Sequence, residues 1–71
     1  MIQKADIHGH SVAHEENSIE GVHYLRDGLD GEEARVFFDQ ARSRGSAEFE
    51  DHADRQFTLI YQNSAYTLVR R

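Results

Sequence analysis

The sequence contains no cysteine, which excludes disulfides and thiolate metal centres and fits a reducing compartment. It has no apolar run near the roughly 20 residues that a bilayer crossing needs. Its opening residues, 1–10, lack the apolar stretch of a secretory signal. These absences give the expectation of a cytoplasmic protein without membrane contact. Lysine is nearly missing as well: Lys4 stands alone and the other cations are arginines. Catalytic motifs are absent too. There is no Cys nucleophile, no Gly-x-Ser-x-Gly elbow around any serine, and no phosphate-cradling glycine loop of either common kind.

What is present is short and acidic. A chain of 71 residues is enough for one domain and not for two. A domain of that size buries only about 60% of the surface that its unfolded chain exposes. Such domains are often completed by a metal or a second subunit. The formal net charge of −5 repels nucleic acid over most of the surface, so no nucleic-acid partner is expected. The same charge suits a basic protein surface, and it also keeps a small domain soluble.

The pattern divides the chain in two. Residues 1–20 carry His8, His10, His14, Glu15, Glu16 and Glu20 with few large apolar groups, and neither a period of 2 nor one of 3.6 persists there. This segment is expected to be loose or ordered only by a partner. Residues 21–71 are expected to form a single α+β domain. Val22 and Tyr24 share one face if Gly21 to Arg26 is a short strand.

Residues 30–44 read as a helix. Asp30 is an N-cap and Glu33 completes a capping box. Glu32 and Glu33 sit at the positive end of the helix dipole, Arg42 and Arg44 at the negative end. Ala34, Phe37, Phe38 and Ala41 fall at i, i+3, i+4 and i+7 and make one apolar stripe. Gly45 follows as a residue that tolerates positive φ.

After Gly45 the period changes to 2. Ala47-Glu48-Phe49-Glu50 alternates as a half-buried strand, and residues 51–54 read as a turn. Asn63-Ser64 is a two-residue hairpin loop that pairs Gln62 with Ala65, Tyr61 with Tyr66 and Leu59 with Leu68. That register gathers Phe57, Leu59, Tyr61, Tyr66 and Leu68 on one face. The expected fold is therefore one helix packed on a three- or four-stranded antiparallel sheet, with the last strand at an edge. Phe37, Phe38 and Phe49 complete the core.

The other face of that hairpin carries Thr58, Ile60, Thr67 and Val69. β-Propensity alone accounts for them wherever they point. A covering N-terminal segment or a second subunit accounts for them equally.

Two functional classes survive. The first is a small acidic, non-enzymatic protein-interaction or regulatory module, assembling as a homodimer and needing no cofactor. Its expected contact residues are Glu48, Glu50, Ile60 and Val69, on the face away from the helix. The second is a His-based metal protein, hydrolytic or metal-sensing, that uses a divalent transition metal such as zinc. If residues 6–11 form a strand, His8 and His10 point the same way, and His14 or Glu15 can add a third ligand. Asp6-x-His8-x-His10-Ser11 resembles the opening motif of PHP-type and related amidohydrolase phosphoesterases, where both histidines bind metal. The resemblance spans about six residues and implies a barrel of about 200 residues. This chain is too short for one, so the family's activity does not carry over.

Overall fold

The computed structural model describes residues 2–71. It is a mixed α+β fold with one five-stranded sheet. The strands are β1 (Gln3–Ile7), β2 (His10–His14), β3 (Ser46–Glu50), β4 (Gln56–Gln62) and β5 (Ala65–Arg70). Between β2 and β3 lie α1 (Ile19–His23), a π-helical turn (Tyr24–Gly28) that continues it, and α2 (Gly31–Arg44). The strand order is β1-β2-β5-β4-β3.

The second half of the chain follows its local chemistry. The Asp30 carboxylate accepts a hydrogen bond from the Glu33 N–H at 2.8 Å, and the Glu33 carboxylate accepts one from the Asp30 N–H at 3.1 Å. These two bonds satisfy donors that the first turn of α2 leaves open. Gly45 ends the helix at φ 93°, where a Cβ would be strained. Asn63 and Ser64 take φ values of 55° and 63°, as a type I′ turn requires. They set the expected register: Gln62 pairs with Ala65, Tyr61 with Tyr66 and Leu59 with Leu68.

The first half corrects the expectation in three ways. The sheet has five strands because residues 3–14 form a hairpin that joins it; Met1 lies outside the described residues. The hairpin turn falls at His8 and Gly9, both at positive φ. β2 then pairs parallel to β5 through Val12–Tyr66, Ala13–Thr67 and His14–Leu68. The sheet is thus mixed, and β5 is its central strand, not an edge. Finally, Gly21 to Arg26 is helical. A 3-10 turn, Glu16–Ser18, leads into it, and Ser18, Gly21, Val22 and Leu25 are the buried positions, spaced i, i+3, i+4 and i+7.

Both helical units cover the same face of the sheet. Phe38 and Ala41 of α2 are fully buried with Phe57, Leu59 and Leu68, while Phe37 is half-buried against that core. Ile7, Val12, Val22 and Leu25 extend the core from the first half of the chain. α1 lies especially close to the sheet. A Cβ on Gly21 would stand 2.9 Å from the Phe57 ring and 3.0 Å from Leu68.

Candidate functional site

Two regions hold the residues with functional potential, and the sheet's open face is the first. Its side chains form a row across all five strands: Lys4, Ala13, Thr67, Ile60 and Ser46. The next row carries Val69, Thr58 and Glu48, and Glu50 lies beyond with Gln56. Glu48, Glu50, Ile60 and Val69 therefore share the face away from the helices. Ala13, Thr58, Ile60, Thr67 and Val69 are each half-exposed. The N-terminal segment does not cover them, because its hairpin lies beside β5 in the plane of the sheet. The rims are charged. Glu48 pairs with Arg71 at 3.0 Å and Glu50 accepts from the Gln56 amide at 3.3 Å, while Lys4 sits at the far edge.

The three N-terminal histidines are not brought together. The expectation that His8 and His10 point the same way needed a strand through residues 6–11, and the His8-Gly9 turn breaks it. His8 reaches the end of the π-helical turn, where its Nε2–H donates to the Leu25 carbonyl at 3.0 Å and to the Leu29 carbonyl at 3.3 Å. Carbonyls only accept, so this nitrogen carries the proton. His10 stacks on Phe38 with ring centroids 4.2 Å apart and meets the edge of Tyr66. His14 is buried and donates from Nδ1 to the Glu15 carbonyl at 2.9 Å. Each imidazole thus holds a separate part of the fold. Among the described residues, no three His, Cys, Asp or Glu side chains are grouped to hold a metal ion.

The second region was not anticipated. A cleft of about 550 Å³ opens where the α1 and π-helical segment meets the loop between β3 and β4. One wall comes from Glu20, His23, Tyr24, Asp27 and Gly28. The other comes from Asp51, His52, Ala53 and Arg55. The π-helical turn ends the α1 segment, and Leu29 after it is extended.

The second wall is organised by Asp51. Its carboxylate accepts from the Ala53 and Arg55 N–H groups at 2.9 Å each and from Arg55 Nε at 2.6 Å. Burial acts to raise its pKa, but the bonds from Arg55 and the two backbone N–H groups outweigh that and leave it below its usual value. Tyr24 forms the floor. It stacks on Phe49 at 5.8 Å and takes the edge of His52 at 5.1 Å. At the mouth, the hydrogen bond from Arg26 holds the Asp27 carboxyl below its usual range. Among the described residues, Glu20 Oε2 is buried and has no hydrogen-bond partner.

The sequence signal for this cleft is faint. Its two walls are more than twenty residues apart, and residues 51–54 read locally as a plain turn. No known protein family, curated protein or solved structure matches the chain. No helix among the described residues is long and apolar enough to cross a membrane.

Proposed function

We propose that the domain is a small, acidic, non-enzymatic protein-interaction module of regulatory type, working in the cytoplasm. Its contact surface is the open face of the sheet, and its first partner is a second copy of the chain. The observation that carries this reading is the half-exposed band of Ala13, Thr58, Ile60, Thr67 and Val69, over which none of the described elements lies. β-Branched side chains in the middle of a sheet face gain from being roofed.

Charge placement favours self-pairing. A twofold axis running along central β5 lays the β1 edge of one copy over the β3 edge of the other. Lys4 then faces the side that carries Glu48 and Glu50, and the arrangement repeats by symmetry. Area limits the strength. Five strands about 4.8 Å apart and about five residues long offer a plane of roughly 400 Å² per copy. A standard interface buries about 800 Å² per partner. The pairing is therefore concentration-dependent and not obligate.

Sedimentation velocity from micromolar to hundreds of micromolar tests it. The expected result is a rise from the 8.2 kDa monomer toward twice that mass. Ile60→Glu with Val69→Glu is expected to abolish the rise and leave the thermal melt cooperative. A monomer at every concentration, or association unchanged in the double variant, sinks the reading.

A further inference from the structure

We propose that the free edge of β1 pairs antiparallel with the same edge of a second copy, joining two sheets side by side. This contact uses the edge of the sheet and leaves the open face uncovered, so it stands or falls independently of the face pairing.

β1 ends the sheet, and among the described residues no backbone group bonds to its outer side. The turn at His8 and Gly9 fixes which groups point there. It joins Ile7 to its cross-strand partner His10, and a two-residue loop closes on a pair that exchanges both backbone bonds. Alternation then turns the backbone groups of Ile7, Ala5 and Gln3 toward β2, and those of Lys4 and Asp6 toward the free edge. The helices leave room for a neighbour, since α2 packs mainly on β3 and β4, and α1 on β5.

The charges make this edge its own complement. With Ala5 on a twofold axis, Lys4 faces the partner's Asp6, and Asp6 faces the partner's Lys4. Each of these pairs exchanges both backbone bonds. Their side chains share one face, so each also forms a cross-strand ion pair. Both residues are exposed. Lys4 makes no ion pair among the described residues. One oxygen of Asp6 accepts from the Gly9 N–H at 3.1 Å, which leaves the other for the lysine. The neighbouring registers oppose lysine to lysine or aspartate to aspartate, so charge selects the register. The opposite edge of the sheet has no such pattern. There Gly45 and Asp51 bond back to β4, which turns Ser46, Glu48 and Glu50 outward, and β3 carries no cation. An edge lysine alone discourages strand addition; Lys4 with Asp6 makes the addition selective.

One strand of five residues a side makes a small contact. The edge pair is therefore too weak for sedimentation at these concentrations to register, and covalent trapping reads it. The chain has no cysteine of its own, so a single introduced thiol reports one position. Ala5 meets the partner's Ala5 as a non-bonded pair with Cα atoms about 4.5 Å apart, within disulfide reach. Gln3 is more exposed than Ala5, yet it lies about 13 Å along the strand from the partner's Gln3. With face pairing removed by Ile60→Glu and Val69→Glu, Ala5→Cys should oxidise to a disulfide dimer about tenfold faster than Gln3→Cys.

Charge reversal supplies the second arm, again with Ala5→Cys as reporter. Lys4→Asp should slow the dimer, and so should Asp6→Lys, because each opposes like charges. A mixture of the two should form the mixed dimer in preference to either like dimer, read by mass spectrometry, although both chains remain net acidic. Lys4→Asp keeps the Asp6–Gly9 bond, so its slowing counts even if Asp6→Lys loosens the turn. The proposal is overturned if Gln3→Cys dimerises as fast as Ala5→Cys, if Lys4→Asp dimerises as the parent does, or if two folded variants mix only statistically.

Discussion

Asp51 accepts three hydrogen bonds within five residues and closes the loop from β3 to β4 around a single side chain. The residue reads as a turn former in the sequence, and local composition carries that much. What it cannot carry is the burial of the carboxylate. Because the folded pKa lies below the usual 3.8, the sign of the pH effect is fixed. The contribution is complete above that value and is lost as pH falls through the lower folded value. Asp51→Asn should therefore be less stable than the parent at pH 7, with the difference shrinking in acid. Urea midpoints at pH 7 and near pH 3 measure this. An equal difference at both would mean that the charge of Asp51 contributes nothing. Other residue-scale features were legible because they are local. The Asp30–Glu33 box needs three residues of spacing, and the Asn63–Ser64 turn needs only two residues that tolerate positive φ.

Elements were legible to the extent that their buried positions are apolar. α2 shows its stripe openly in Ala34, Phe37, Phe38 and Ala41. α1 and its π-helical continuation have the same spacing in Ser18, Gly21, Val22 and Leu25, but two of the four are Ser and Gly, so hydrophobicity does not reveal it. The small residues have a packing cause. They let the segment approach the sheet until the Gly21 backbone nearly touches Phe57 and Leu68. Gly21→Ala separates this cause from helix propensity. Propensity alone predicts a gain of about 1 kcal/mol. A Cβ forced to 2.9 Å from a buried ring instead costs about 1–3 kcal/mol. The expected net effect is a loss of up to about 2 kcal/mol, read from chemical denaturation. A stabilised variant would mean that the segment does not lie on the sheet as described. The N-terminal hairpin was hidden for a related reason. Its strands are five residues each, β2 interleaves His with small residues, and its turn uses His8 where Asn or Gly would have announced it.

On the scale of the whole molecule, the least legible contact is the parallel pairing of β2 with β5, because its partners are more than fifty residues apart in the chain. Nothing local announces such a pairing, yet it decides whether residues 21–71 can stand alone. The β4–β5 hairpin and α2 look self-sufficient in the sequence, with a capped helix, a defined turn and an aromatic face. The fold gives them a dependency. Without β2, the hydrogen-bonding edge of β5 is bare along Tyr66, Thr67 and Leu68, and Ile7, Val12 and His14 no longer close the core beside Leu68. An open, apolar central edge invites pairing with other chains, and a domain this small has little stability to spare. A chain that begins at residue 21 is thus expected to lose its cooperative thermal transition or to aggregate, although it retains every residue of α2 and the meander. Adding back residues 1–20 as a separate peptide should restore part of the native circular dichroism if the β2–β5 ladder is the missing contact. A truncated chain that melts cooperatively as a monomer would show that the N-terminal hairpin is an accessory to the sheet, with β5 stable as an edge.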